Sequence, residues 1–156
     1  MASPIPALSS VQSINPATGE VVARFDSTPA SGLTEIVQRA REAQTVWADT
    51  PLPARCELIR RLGDVLYSRR DELAGLVMRE TGKPRAEALF ADVLISLETA
   101  KFCARKAPDI LSAEKVSHQN VATKAKTGRL TYQPLGVVAV IAPWNYPLAI
   151  PLGQVI

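Results

Sequence analysis

The sequence is poor in the residues that mark several classes of protein. Its 156 residues include two cysteines, one histidine and only 5% aromatic residues. Cys56 and Cys103 both fall in segments with a helical pattern, which favours reduced thiols in a cytoplasmic protein over a disulfide framework. His118 has no second histidine or nearby cysteine, which predicts that no metal is bound. The longest apolar run is far shorter than the roughly 20 residues of a membrane-spanning helix, so we expect no membrane association.

Clustered charge of one sign is also scarce. The formal net charge is +3, but the basic residues are scattered among acidic ones, which is typical of solvated helix faces. No basic stripe is interleaved with stacking aromatic residues, so we expect no nucleic-acid partner. The one basic cluster, between Lys115 and Arg129, predicts an exposed strand or loop.

The first two thirds of the chain carry the patterns of a hairpin and of several helices. Residues 1–12 are expected to form a flexible tail. The stretch SINPATGEVVARF predicts a β-hairpin whose turn uses the positive φ available to Gly19. Apolar residues then recur at three and four positions and predict four helices. These helices span residues 34–47 with Thr34 as cap, 53–70 opened by Pro53, 71–81 ended by Gly82, and 84–97 opened by Pro84.

After Pro108 the pattern changes from helix to strand. Residues 121–132 roughly alternate between polar and apolar, which predicts a half-solvated strand. Residues 137–142 are apolar throughout, as in a strand buried on both faces of a parallel sheet. We therefore predict an α/β fold in which a hairpin and helices lead into a doubly wound, Rossmann-like parallel sheet. Residues 135–156 would supply only the first strand and the start of the next helix.

Asn145 stands where this apolar segment ends. Ligands of open α/β sheets bind at the carboxyl ends of strands, and Pro147 is well placed to open the following helix. The asparagine offers a neutral amide that can donate to an oxygen as it becomes negative. A structural interpretation competes with this one, since asparagine is also a common helix cap, and from the tripeptide Pro143-Trp144-Asn145 alone it is the commoner case.

Two other candidate sites fail on their own chemistry. Gly82-Lys83 resembles the end of a phosphate-binding loop, but Val77 stands where a glycine is required and Pro84 follows where a hydroxyl should bind magnesium. Glu80 and Glu87 are candidates for paired carboxylates. Charged residues at helix ends are usually solvated, which makes that pairing the weaker interpretation.

Five parts of the sequence form a recognisable set in their order and spacing. They are INPATGEVV at 14–22, Trp47, the arginine and leucine pattern from Arg55 to Leu62, ETGKP at 80–84, and PLGVVAVIAPWNYP at 134–147. Together they cover nearly the whole chain beyond the tail and resemble the amino-terminal portion of the aldehyde dehydrogenase superfamily. The members of that superfamily are NAD(P)-dependent enzymes that oxidise aldehydes to carboxylic acids.

The resemblance implies roles for individual residues. Asn145 matches the asparagine whose amide helps to hold the oxyanion of the tetrahedral thiohemiacetal. The cofactor, NAD or NADP, would be lined by a strand end, and the aldehyde channel by residues just after it. The residues that match the cofactor-lining strand end are Ile141, Ala142, Pro143 and Trp144, and those near the channel are Tyr146, Ala149 and Ile150.

The resemblance also implies a domain plan. Residues 13–116 would be the hairpin and helices of the cofactor-binding domain, and residues 117–134 the start of an arm through which subunits of a homo-oligomer associate. The family's nucleophilic cysteine and general-base glutamate lie downstream in relatives, and neither Cys56 nor Cys103 matches the nucleophile. We therefore expect the chain alone to be inactive. The alternatives are a non-catalytic truncated or remnant protein and a fragment of a CoA-acylating aldehyde dehydrogenase.

Overall fold

A β-hairpin opens the part of the chain that the computed structural model describes, residues 10–117 and 120–156. Strand β1 (Ser10–Ile14) pairs antiparallel with β2 (Val21–Asp26). Gly19 has φ 76° in the connecting turn, and its amide donates to the carbonyl of Asn15 at 2.8 Å. The predicted hairpin is thus confirmed. Strand β1 begins inside the predicted tail, of which residues 1–9 lie outside the described residues.

Helices follow the hairpin, and those predicted from periodicity are confirmed. They are α1 (Ala30–Asp49), α2 (Leu52–Ser68) and α3 (Arg70–Thr81). Pro53 lies in the first turn of α2, and Gly82 ends α3 with φ 74°. The predicted cap of α1 is wrong, because the helix starts directly after Pro29 and Thr34 lies within it. Pro29 has no side-chain acceptor for the first amides of the helix, and the amide of Gly32 donates instead to the carbonyl of Pro29 at 2.9 Å.

The fourth predicted helix is a continuous helical stretch with a wide turn inside it. It consists of α4 (Arg85–Glu87), a π-helical segment (Ala88–Leu94) and α5 (Ile95–Ile110). A π-helical turn closes on the fifth residue instead of the fourth. In this wider turn the neighbours Asp92 and Val93 are both buried, as is Ala88. An acidic side chain is therefore carried into the interior beside the apolar ones.

The core lies between α3 and the π-helical segment. Ala74 and Val77 of α3 form one buried cluster with Ala88 and Val93. Leu148, far along the chain, packs on this cluster. On another side, α2 packs along α5. The core therefore includes the segment that follows the predicted strand end.

The last third of the described chain contains little regular structure. Strand β3 (Glu114–Val116) pairs antiparallel with β4 (Gly128–Leu130), and α6 spans Ala149–Val155. The prediction of a strand over residues 121–132 is wrong except at β4, because Val121–Thr123 forms a 3₁₀ turn. Asn120 stabilises that turn by accepting a hydrogen bond from the amide of Ala122 at 2.9 Å. His118 lies outside the described residues.

The strand predicted over residues 137–142 is not formed. In the described part of the chain, the paired strands make two antiparallel two-stranded sheets, β1 with β2 and β3 with β4. A strand needs neighbours to accept and donate its backbone hydrogen bonds, and here residues 137–142 have none. Val138 and Ile141 are instead 62% and 97% exposed. The α/β class is confirmed, and this segment presents an unpaired apolar edge.

No helix in residues 10–117 and 120–156 combines the length and the apolar character needed to cross a membrane.

Candidate functional site

The candidate site is the turn between the extended segment and α6. Trp144 is 86% exposed, and Ile141 and Pro143 are exposed beside it. Ala142 is half-buried. The four residues predicted to line the cofactor therefore form a largely apolar ridge on the surface of this chain. Their contact with a cofactor stays a prediction.

Asn145 is exposed on this turn. Helix α6 begins at Ala149, and its N-cap residue is Leu148, not Asn145. The structural alternative in which Asn145 caps the next helix is therefore wrong. Trp144 and Asn145 do lie in a turn, but Trp144 is 86% exposed and does not pack over it. The prediction that Pro147 opens the helix is also wrong, by two residues.

Asp92 anchors the start of α6. This aspartate, on the π-helical segment, is fully buried. Its Oδ1 accepts hydrogen bonds from the backbone amides of Leu148 and Ala149, each at 3.2 Å. The first amides of a helix have no partner within the helix, and a carboxylate at that end also interacts favourably with the helix dipole. The segment after Asn145 is thus fastened to the core by a charged acceptor.

Lys83 completes this arrangement. Its Nζ lies 3.1 Å from Oδ2 of Asp92, and the lysine side chain is only 12% exposed. The same Nζ lies 3.8 Å from the ring centroid of Tyr146, in the geometry of a cation–π interaction. Glu87 is a second, more distant carboxylate at 3.8 Å. We call Lys83, Asp92 and Tyr146 the anchoring cluster.

The residues predicted to lie near the aldehyde channel adjoin this cluster. Tyr146 is half-buried and one face of its ring is covered by Lys83, so only its other face and its edge remain for a substrate. Ala149 is held by its amide to Asp92. Ile150 is exposed on the first turn of α6. The structure brings the three residues together with Asn145, and the channel itself stays a prediction.

Of three cavities among the described residues, one lies beside the turn and two lie elsewhere. One of about 100 Å³ is lined by Pro147 and Leu148 and by residues of α3. Cys56 and Cys103 are free thiols that line a different cavity, of about 110 Å³. A larger one of about 540 Å³ lies at the β3–β4 hairpin among basic side chains. Asn145 lines none of these three cavities.

The paired-carboxylate interpretation is not supported by the contacts of the two glutamates. Glu80 accepts a hydrogen bond from the hydroxyl of Ser13 at 2.9 Å, which joins α3 to β1. Glu87 instead lies near Lys83. The two carboxylates thus have different partners.

Sequence reasoning missed the anchoring cluster. Asp92 carries a signal, because it lies in the helix predicted over residues 84–97, among the apolar residues Leu89, Val93 and Leu94. An acid on an apolar helix face is almost never fully buried unless it is paired. From the sequence, Lys83 is a candidate only for a phosphate ligand. The observation that links the two residues to the turn is a pair of contacts across 56 and 57 positions of sequence.

The chain belongs to the aldehyde dehydrogenase family. The model of that family, described as "Aldehyde dehydrogenase family", matches residues 6–156. This match confirms the resemblance and the expectation that the chain corresponds to an amino-terminal portion of that fold.

The proteins that this chain resembles carry names that are consistent with the family. Malonate-semialdehyde dehydrogenase 1 of Geobacillus kaustophilus is 38% identical over 138 residues, which are 88% of this chain and 27% of the relative. Among solved structures, succinic semialdehyde dehydrogenase of Streptococcus pyogenes, in complex with NADP⁺, has a TM-score of 0.80 at 25% identity, over 90% of this chain and 30% of that one. An NAD-dependent benzaldehyde dehydrogenase of Corynebacterium glutamicum has a TM-score of 0.78 at 26% identity, over 92% and 30%.

The chain therefore spans about a third or less of the length of these relatives. Their fold confirms the predicted fold class, and it explains why an apolar segment is unpaired here. In a doubly wound sheet such a segment lies between parallel strands and is covered by helices.

Proposed function

We propose that the protein containing this chain oxidises an aldehyde to a carboxylic acid, with NAD or NADP as the hydride acceptor. Membership of the family supports the reaction class, and the named relatives act on semialdehydes and on benzaldehyde. The observation that carries the proposal is the free amide of Asn145, exposed on a turn whose far side is fastened to buried Asp92. Charge that develops during a reaction is stabilised best by donors already held in place, and a turn fastened at one end supports such a role for Asn145.

In this proposal Asn145 donates a hydrogen bond to the aldehyde oxygen as that oxygen becomes negative. A neutral amide suits the role because it donates without adding a charge of its own. The donor must already be aimed before the reaction, since reorientation during the step would cost part of the stabilisation. Leu148, three residues further on, is fixed by its hydrogen bond to Asp92, which limits how far the amide of Asn145 can move.

The residues of the apolar ridge fit a nicotinamide cofactor. Ile141 and Trp144 are 97% and 86% exposed, so they offer apolar surface that the described chain leaves uncovered. We propose that Ile141, Ala142, Pro143 and Trp144 pack against the cofactor by side-chain and backbone contacts. When bound there, the cofactor supplies the acceptor for the hydride. Tyr146, Ala149 and Ile150 would border the aldehyde.

Assays with NAD⁺ and with NADP⁺ on a panel of aldehydes test this proposal. The panel includes malonate semialdehyde, succinic semialdehyde and benzaldehyde, which are the substrates in the relatives' names. We expect the intact protein to form reduced cofactor and free acid, and the isolated 156-residue chain to form neither. Acid production only as a CoA thioester would favour a CoA-acylating enzyme instead. No turnover by the intact protein with any aldehyde would contradict the proposal.

We also propose that residues 117–134 contribute to an arm through which subunits associate. The described part of this region contains the 3₁₀ turn Val121–Thr123 and strand β4, which pairs with β3 just before the region, at Glu114–Val116. Its apolar side chains are exposed, most of all Val121 at 82%. Exposed apolar groups of this kind favour a protein contact.

The free thiols of Cys56 and Cys103 favour a reducing, cytoplasmic location for the protein.

Replacement of Val121 by lysine is expected to reduce the assembly state of the intact protein, because a charge would be buried in the contact. Sedimentation velocity measures the change. Thr127→Lys is the matched control, since it adds the same charge at an exposed polar position of the same hairpin. An unchanged oligomer in Val121→Lys would contradict the role of the arm.

A further inference from the structure

The anchoring cluster is more elaborate than the capping of helix α6 requires. An exposed serine or aspartate at its start would cap it at little cost. The chain instead uses an aspartate that is 0% exposed and that must be compensated in the interior. Burying a carboxylate is costly unless it is paired and hydrogen-bonded.

The compensation of Asp92 is nearly complete. Oδ1 takes the amides of Leu148 and Ala149, and Oδ2 takes Nζ of Lys83. Three donors from two parts of the chain converge on this one carboxylate. The carboxylate therefore holds the start of α6 in place as well as stabilising it. Lys83 in turn covers the ring of Tyr146. Three of the four residues that follow Asn145 are therefore held: Tyr146, Leu148 and Ala149.

The π-helical segment is what makes this contact available. A π-helical turn inside a longer helix is uncommon and is frequently found at functional sites. Here it brings Asp92 to the buried side next to Val93, which packs in the core with Leu148 around it. The π-helical turn thus supplies both the apolar surface on which Leu148 packs and the carboxylate that accepts a hydrogen bond from the amide of Leu148.

We propose that Asp92 is a positioning residue for Asn145: held by Lys83, it fixes the start of α6 and thereby the direction of the Asn145 amide. This inference rests on the proposed function and deepens it. Asp92 touches the residues after the turn and not the substrate, so it acts through the backbone. A displacement of about 1 Å at a catalytic group can cost about 10²-fold in rate.

Two substitutions separate the parts of the contact. Asp92→Ala removes the acceptor for both amides and the partner of Lys83. Asp92→Asn keeps a similar shape and an oxygen that accepts from the amides, but removes the charge. We expect Asp92→Ala to lower kcat by about 10²-fold, with little change in KM for the cofactor, and Asp92→Asn to recover most of the loss. Asp71→Asn is the matched control, because it also breaks an aspartate's ion pair, with Arg85 on the surface.

A double-mutant cycle tells positioning of Asn145 from a general loss of structure. If Asp92 acts through Asn145, then Asp92→Ala has little further effect on kcat in an Asn145→Ala background. Multiplied losses in the double variant would overturn the inference, because Asp92 would then act independently of Asn145. Asp92→Leu, which also lacks an acceptor but fills more of the space, serves for the same cycle if the alanine variant does not fold.

Hydrogen exchange provides a readout that does not depend on activity. In the intact protein, we expect the backbone amides of Leu148, Ala149 and Ile150, which are hydrogen-bonded at the start of α6, to exchange faster in Asp92→Ala than in wild type, with no change in Asp71→Asn. Unaltered protection in Asp92→Ala would overturn the anchoring. Since this measurement needs no substrate, it stands even if no aldehyde is oxidised, whereas inactivity of the wild type contradicts only the proposed function.

Discussion

Replacement of Asn145 by alanine is expected to lower kcat of the intact protein by about 10²–10³-fold, which corresponds to about 2.7–4 kcal/mol of transition-state stabilisation. The physical reason is the loss of one donor aimed at an oxygen that becomes negative. KM is expected to change much less, because the interaction strengthens only as charge develops. Steady-state kinetics with a saturating cofactor measures both constants.

Gln154→Ala is the control for that substitution. Gln154 is an exposed amide side chain on α6, a short distance along the same segment. Its loss is expected to leave kcat unaltered. Asn145→Asp adds a sharper comparison, since a carboxylate of the same size offers an acceptor and a negative charge where a donor is needed. An aspartate variant that retained wild-type kcat would contradict a donor role for Asn145.

Replacement of Lys83 by methionine is expected to destabilise the protein by about 3–5 kcal/mol, the usual cost of removing one partner of a buried ion pair. Lys83 is 12% exposed and Asp92 0%, so solvent cannot take over the lost contact. Methionine preserves much of the apolar stem of the lysine and its packing. The midpoint of thermal unfolding, compared between variants at one protein concentration, measures the change.

A second substitution tests the cause of that loss. Asp92→Asn in the Lys83→Met background removes the uncompensated charge and leaves an oxygen for the amides of Leu148 and Ala149. The double variant is therefore expected to unfold at a higher temperature than Lys83→Met alone. Lys101→Met is the control, because Lys101 pairs with Glu98 on the surface and is 67% exposed. Equal losses in Lys83→Met and Lys101→Met would contradict a buried pair.

Local features of the fold could be predicted because local chemistry determines them. Gly19 and Gly82 have positive φ in the structure, at the turn and the helix end where the sequence predicts them. Proline in the first turn of α2 and the spacing of apolar residues were equally informative. In each case the signal and the structure lie within a few residues of one another.

The strand over residues 137–142 could not be predicted in the same way. The apolar run was identified, but a strand also needs neighbours, and these are a property of the sheet and not of the run. The pattern thus describes the environment of this segment in the family fold. In the described chain the same residues form an extended edge with Ile141 exposed.

The sequence predicts the exposed residues of the candidate site but not the buried residues that anchor it. Asn145 and the ridge before it follow from the strand-end pattern and the family resemblance. Asp92 and Lys83 could not be linked to them from the sequence, because their contacts join residues 83, 92 and 148 across the fold. The π-helical turn that buries Asp92 also leaves no simple periodic signal.

A crystal structure of the intact protein with an aldehyde bound at its reacting centre tests the central claim most directly. The quantity to measure is the distance from Nδ2 of Asn145 to the oxygen of the aldehyde or its adduct. We predict about 2.7–3.1 Å, the range of an effective oxyanion donor. An amide directed into solvent, with the oxygen held by other groups, would contradict the account.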